Sequence, residues 1–222
     1  MASPTEENYL KALFNLENEK GEITLSDLAH QLQVSLPTAN SMVKSLKKQD
    51  WVQQEKYKPL TLTVSGRNLA ASIIRKHRLT EMFLVKMMNF GWEEVHEVAE
   101  QVEHIHAPKF FQRMDEILGH PSVDPHGSPI PDKYGKLEKQ SYTPLTKAAP
   151  GQKVELIALN NSSAEFLAYL NSKDLSLGIT LEVISREHFD QSVLVSYEGH
   201  PKEILSEKVS ERLLILPIGI GI

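Results

Sequence analysis

The chain has 222 residues, a formal net charge of −5, and 41% apolar and 24% charged residues. These are ordinary proportions for a globular protein, with length for one large domain or two small ones. There is no cysteine, which excludes disulfides and thiolate metal sites, so any metal must be held by His, Asp, Glu, Asn or backbone oxygen. No apolar run approaches the roughly 18 residues of a membrane span. "MASPTEENYLKAL" also lacks the basic-then-apolar order of a secretory signal, so the expectation is a cytoplasmic protein with no membrane partner.

Residues 4–19 predict a helix, because Tyr9, Leu10, Leu13, Phe14 and Leu16 recur at helical spacing, and Gly21 ends it. "TLSDLAHQLQ" predicts a short second helix with Thr24 or Ser26 as its cap. "VSLP" interrupts, and Ser35 and Pro37 signal the start of a third helix, since proline suits a first turn whose N–H is unpaired anyway. That helix should bury Ala39, Met42, Val43 and Leu46. "WVQQEK" and "LTLTV", joined by "YKP", read as a hairpin. Helix, short turn, longer helix and two-stranded ribbon is the order of a winged helix-turn-helix.

Charge follows the same boundaries. Residues 35–76 hold eight Lys/Arg and two acids in an otherwise acidic chain, a possible footprint for a polyanion. Coincidence of this basic bias with the third helix and the ribbon points to double-stranded DNA. Pro37, Thr38, Asn40 and Ser41, at the start of the recognition helix, are candidates for base contacts. Ser35, Lys44, Lys47, Lys48, Lys56 and Lys58 are phosphate candidates, which position without specifying.

A long helix follows over "SGRNLAASIIRKHR", which "LTEMFLVKMM" continues or restarts. Its Leu79, Met82, Phe83, Val85, Met87 and Met88 offer apolar surface for a core or a dimer interface. Residues 92–106 and "PKFFQRMDEILG" predict two more helices. Residues 120–150 carry six prolines and read as linker. "QKVELIAL", "ITLEVISRE", "QSVLVSYEG" and "RLLILPI" then read as strands of a small β-barrel, with one helix near residues 163–171. The expected boundaries are 1–64 for the winged helix, 65–120 for a helical domain, 121–146 for the linker and 147–222 for the C-terminal domain. The fold class is therefore mainly α with a small β part.

From Trp92 to Pro108 there are five glutamates, three histidines and no lysine or arginine. An ordinary solvated helix mixes its charges. On an ideal helix His96, Glu100, Glu103 and His104 share an arc of about 100°, beside an apolar arc of Val95, Val98, Ala99, Val102 and Ile105. His77 and Glu81 stand at i,i+4 on the preceding helix. Carboxylates and imidazoles are what first-row divalent metals take, and two packed helices would direct about six of them to one region. A pH-sensitive surface stripe is the competing reading. Glu93, Glu94, Glu97 and His106 are assigned to solvated surface. Glu-x-x-His spacings also occur in ferritin-like di-iron bundles, but those need four long helices, which a chain opening on a winged helix does not supply.

With these residues in place, the sequence resembles the diphtheria toxin repressor and manganese transport regulator family of metal-dependent bacterial repressors, over essentially its whole length. "ENYLKALFNL" resembles the family's first helix, "SLPTANSMVKSL" its recognition helix, "RKHRLTEMFLV" its dimer-helix signature, "VEHIH" its metal helix and "HPSVDPHGSPIP" its exit from the dimerisation domain. The last 75 or so residues resemble its SH3-like domain. The resemblance implies a homodimer through residues 65–118 and a primary metal site of Asn8, Glu100, Glu103 and His104. It also implies an ancillary site of His77, Glu81 and His96, completed by a C-terminal carboxylate for which Glu165 is the candidate. Asp124 stands where some members place a metal-binding cysteine. Asn8 departs from the Met or Asp usual at its position, and Lys11 from the glutamate of short manganese regulators, which speaks against their close dinuclear arrangement. With no sulfur ligand, Mn2+ is favoured over Fe2+, while Zn2+, Co2+ and Cd2+ would bind in vitro.

The implied function is repression at palindromic operators of metal-uptake genes, with the metal as co-repressor. The alternatives are a winged-helix regulator sensing pH or an organic ligand, and a metalloenzyme. The last lacks any separate nucleophile or general-acid constellation in the sequence.

Overall fold

The computed structural model describes residues 2–55, 58–132, 134–138 and 140–218. The chain divides into two compact units. The first comprises Met1–Phe83, Glu97–Ser122 and Ile130–Glu138; the second comprises Leu84–His96, Val123–Pro129 and Lys139–Ile222.

In the first unit, α1 (Pro4–Lys20) starts at a capping box. Ser3 Oγ accepts from the Glu6 amide at 3.3 Å, and the Ser3 amide donates to Glu6 Oε2 at 3.0 Å. Gly21 closes the helix at φ +79°, its N–H returning to the Glu17 carbonyl. A Ser3→Ala chain should lose about 1 kcal/mol, the usual value of an N-cap, read as a lower denaturant midpoint at unchanged slope; an unmoved midpoint would show the cap to be redundant.

A second capping box, Thr24 with Asp27, opens α2 (Leu25–Gln31). Gln33 at φ +53° makes the turn, and Ser35 caps α3 (Leu36–Lys48), with Pro37 in its first turn. Ala39, Val43 and Leu46 of α3 are buried, and Met42 is half-buried against the same cluster. Among the described residues the ribbon is shorter than the β-type runs suggest: β1 (Val52–Gln53) and β2 (Thr61–Leu62) pair, antiparallel, and Leu60 bridges back to Ile23. One core made of Leu10, Leu13, Phe14, Leu28, Val43, Leu46, Leu60 and Ile74 holds these elements together.

The dimer-helix signature forms one continuous helix, α4 (Val64–Met88), without a restart. The helix expected over residues 92–106 is shorter: α5 spans Val95–Val102, and Glu103 and His104 lie in the turn beyond it. The ideal-helix arc therefore holds for His96 and Glu100 but not for these two. α6 (Pro108–Ile117) packs Phe111 and Met114 with Leu79 and Ile130 in a smaller cluster.

The Pro-rich stretch makes specific contacts. The Arg75 guanidinium donates to the Pro131 carbonyl at 2.7 Å and pairs with Asp115 at 2.7 Å. Gly135, at φ +80°, lies against Ala71. Within the second unit, Gly127 at φ +84° lies so close to Ala158 that a Cβ would stand 2.4 Å from the Ile157 carbonyl.

The second unit is an antiparallel sheet in the order β3-β8-β4-β5-β6-β7, where β3 is Thr143–Pro144, β4 Lys153–Leu159, β5 Thr180–Arg186, β6 Val193–Tyr197, β7 His200–Leu205 and β8 Leu213–Pro217. Register shifts in β4, β5 and β6 bend the sheet, as bulges do in small barrels. α7 (Ala164–Asn171), capped by Ser163, and α8 (Glu207–Ser210), capped by Ser206, complete the unit. The sequence runs anticipate β4, β5, β6, β8 and α7, but not β3, β7 or α8. No described helix is long and apolar enough to cross a membrane.

Candidate metal centre

Five of the sequence-selected residues form one connected cluster in the first unit. His77, on α4, places Nε2 3.0 Å from Glu81 Oε1 and Nδ1 2.5 Å from Glu103 Oε2, with Glu100 Oε1 3.8 Å from the same nitrogen. His104 Nε2 lies 3.7 Å from Glu103 Oε1. The turn after α5 makes this possible: the Glu103 amide still bonds the Ala99 carbonyl at 2.9 Å, and the chain then leaves the helix. Glu103 is completely buried, and His77 and Glu81 are nearly so. The Lys76 ammonium further anchors the turn by donating to the Glu103 carbonyl at 2.6 Å.

Burial opposes a charge on His77, but its hydrogen bonds to Glu103 and Glu81 prevail and push its pKa up to about 9. Burial likewise opposes the Glu103 anion, and here His77 and Lys11 outweigh it, so its pKa lies below the usual range for glutamate. The cluster is thus an ion network in which a doubly donating imidazolium bridges two carboxylates.

Two members of the cluster come from α1 and were not selected from the sequence. Glu7 is 2% exposed, and its Oε2 lies 2.5 Å from His104 Nδ1. Lys11, one turn further on, donates to Glu103 Oε1 at 2.8 Å and to Glu100 Oε1. Their i,i+4 spacing beside Asn8 was visible in "ENYLK". What it lacked was any sign that α1 supplies both an anion for the imidazole and a cation for the carboxylates.

Asn8 Oδ1 is buried and has no hydrogen-bond partner among the described residues. An orphaned buried oxygen on α1, next in the chain to Glu7 and one turn from Lys11, fits the oxygen-and-nitrogen donor set of a divalent metal. Glu100, Glu103, His104, Asn8 and Glu7 could supply such donors.

The other candidates belong to the second unit. His96 is exposed at the start of α5, one turn before Glu100. Asp124 is buried, and its Oδ1 accepts from the amides of His126 and Ser128 at 2.8 and 2.9 Å. His126, also buried, reaches the Trp92 carbonyl through Nε2 at 2.9 Å and stacks on that indole. Glu165 is exposed in the first turn of α7.

On α3, Pro37, Thr38, Ser41, Lys44 and Lys48 are exposed and Asn40 is half-buried. The hydroxyls of Ser35 and Thr38 pair with each other at 2.8 Å. Lys47 donates to the Gln54 carbonyl at 2.8 Å, tying the helix to the wing. Lys58 pairs with Glu55 at 2.5 Å on the surface. Lys56 lies outside the described residues.

A winged helix followed by a helical module with a buried acid–histidine cluster defines a DNA-binding regulator with a cation-type site. The comparisons agree. Residues 1–60 match the iron dependent repressor N-terminal DNA binding domain, residues 63–132 the iron dependent repressor metal binding and dimerisation domain, and residues 143–217 the FeoA domain. The diphtheria toxin repressor of Corynebacterium diphtheriae is 27% identical over 91% of this chain and 93% of its own length. The iron-dependent repressor IdeR of Mycobacterium leprae is 34% identical, in a match that spans 57% of this chain and 55% of IdeR. A manganese-dependent transcriptional repressor in complex with manganese superposes with a TM-score of 0.85 at 28% identity, over 96% of this chain and 100% of that one. The manganese regulator SloR does so with 0.76 at 30% identity, over 98% and 100%. The chain belongs to this family of metal-dependent transcriptional repressors. The named relatives are regulators, not enzymes, which sets the metalloenzyme alternative aside.

Proposed function

We propose that this protein is a cytoplasmic repressor that binds palindromic operators of metal-uptake genes as a homodimer, with Mn2+, or secondarily Fe2+, as co-repressor. The observation that carries the reading is the junction of α1 with the turn after α5. α1 packs on the recognition helix, with Ser45 Oγ donating to Glu6 Oε1 at 3.2 Å, and the same helix reaches Glu100, Glu103 and His104 through Lys11 and Glu7. Whatever charge sits among those groups therefore bears on the seating of the DNA-binding helices. A bound divalent ion would supply positive charge shared by Asn8, Glu100, Glu103 and His104. His77, Glu81 and His96 are proposed for the ancillary site, with Glu165 as its completing carboxylate, and Asp124 is proposed as a further ligand of the primary metal.

Mn2+ is preferred because all donors are oxygen or imidazole, although intrinsic affinity rises from Mn2+ to Fe2+ and the supply in the cell decides between them. A dimer must present two recognition helices about 34 Å apart, or a multiple of that. Exposed Phe110, Ile117 and Ile105 in the expected dimerisation region are apolar surface suited to such pairing. Pro37, Thr38, Asn40 and Ser41 are proposed to read bases, and the α3 and wing lysines to hold phosphates.

The test is operator affinity of the metal-stripped chain, titrated with Mn2+, anaerobic Fe2+ and Zn2+ at one salt concentration, since salt alone shifts such affinities by orders of magnitude. The expected result is a gain of about tenfold or more with the physiological metal, equal to about 1.4 kcal/mol. Affinity indifferent to every metal would overturn the reading and favour a sensor of pH or an organic ligand.

A further inference from the structure

In the first unit the acidic cluster already holds a cation. Both oxygens of the buried Glu103 carboxylate are engaged, Oε1 by the Lys11 ammonium at 2.8 Å and Oε2 by His77 at 2.5 Å. Glu100 Oε1 accepts from the same ammonium. Lys11 is thus shared by two of the carboxylates assigned to the primary site. Its side chain is 16% exposed, so the flexible stem has a way out to solvent. A lysine head is compact, strongly hydrated and carried on four carbons, unlike the rigid fork of arginine; it offsets half the charge of the pair without locking it.

We propose that Lys11 is a tethered competitor: a divalent ion must displace its ammonium from Glu100 and Glu103, so this one side chain sets the metal concentration at which the site loads. The inference rests on reading the cluster as a divalent-ion site. Its arithmetic is that of a state that must open before it binds. If the carboxylates stand clear of Lys11 about one-tenth of the time, the apparent Kd is raised about tenfold. The same contact joins α1 to Glu103 in the turn after α5.

The experiment measures Mn2+ binding to the full chain by the electron paramagnetic resonance signal of free Mn2+, for wild type, Lys11→Met and Lys11→Arg. Lys11→Met should tighten the Kd about tenfold by removing the competitor. Lys11→Arg should weaken it several-fold, because a guanidinium can bond both carboxylates at once. A merely structural lysine would not move the two variants in opposite directions. A second measurement needs no variant: acetylation of the Lys11 amine, mapped by mass spectrometry, should rise several-fold when the wild-type chain is loaded with Mn2+. Equal Kd values for wild type and Lys11→Met, or acetylation unchanged by Mn2+ in a chain that binds it, would overturn the proposal and leave the metal site standing. Absence of Mn2+ binding in all three chains would overturn the metal reading and this proposal together.

Discussion

Replacing Glu103 by glutamine should abolish the metal response of operator binding and also weaken the metal-free fold. Glu103 has no solvent exposure and pairs with both Lys11 and His77, sharing them with Glu100 and Glu81. Removing its charge leaves an ammonium and an imidazolium in a buried setting short of counter-charge. Breaking a buried ion pair from one side costs about 3–5 kcal/mol, and retention of the amide shape and its acceptor oxygen puts the expected loss near the lower end, about 3 kcal/mol. The metal-dependent gain in DNA affinity, about tenfold or more in the wild type, should fall to none. Two instruments separate these effects. Denaturation of the metal-free variant reads the stability loss, and operator titration at a temperature where the variant is folded reads the response. A folded Glu103→Gln chain that still tightens on DNA with Mn2+ would remove Glu103 from the site.

Gly66→Ala should destabilise the winged helix although it introduces a better helix former. A Cβ at Gly66 would stand 2.0 Å from the Trp51 carbonyl oxygen and 2.8 Å from its carbon, both backbone atoms. That carbonyl is fixed in turn, since it accepts from the Thr63 amide at 3.0 Å, and the Trp51 amide donates to the Leu46 carbonyl at 3.0 Å. The hydroxyls of Thr63 and Ser65 close the same junction by donating to the Asp50 carbonyl at 2.7 and 2.8 Å. The end of the recognition helix, the first wing strand and the start of α4 all meet here. Alanine gains up to about 1 kcal/mol in helix propensity over glycine, whereas overpacking that moves backbone costs about 1–3 kcal/mol or more. The net expectation is a loss of about 2 kcal/mol, with weaker operator binding because the wing shifts against α3. Denaturant midpoints for the two chains decide it; a Gly66→Ala chain as stable as wild type would mean that the junction yields without loss.

Local signals in the sequence were enough for the order of α1 to α7 and of four of the six strands of the second unit, but not for β3, β7 or α8. Ser3, Thr24, Ser35 and Ser163 each sit where a cap is needed and each forms it, because an N-cap reaches only three residues along the chain. The apolar period of α1 and α3 likewise maps onto one core. Where a helix ends was less legible. The glutamates and histidines of residues 92–106 carry no stop signal, yet α5 ends at Val102, where Glu103 is held by His77 and Lys11 rather than by helix periodicity.

The sequence by itself determined which side chains were available to a metal, since it offers carboxylates and imidazoles without a thiol, and which helices would carry most of them. Only the tertiary structure decided how they are partnered. It joins His77 of the expected ancillary set to Glu103 of the expected primary set, and it brings Glu7 and Lys11 to groups 97 and 92 residues away. Such pairings follow from the packing of α1 against the end of α5. Periodicity and capping act over a few residues, whereas the electrostatic partner of a buried charge is chosen by whichever element the core brings within about 3 Å of it. For that reason an acidic stretch without a lysine of its own could be recognised in the sequence, while the lysine that answers it could not.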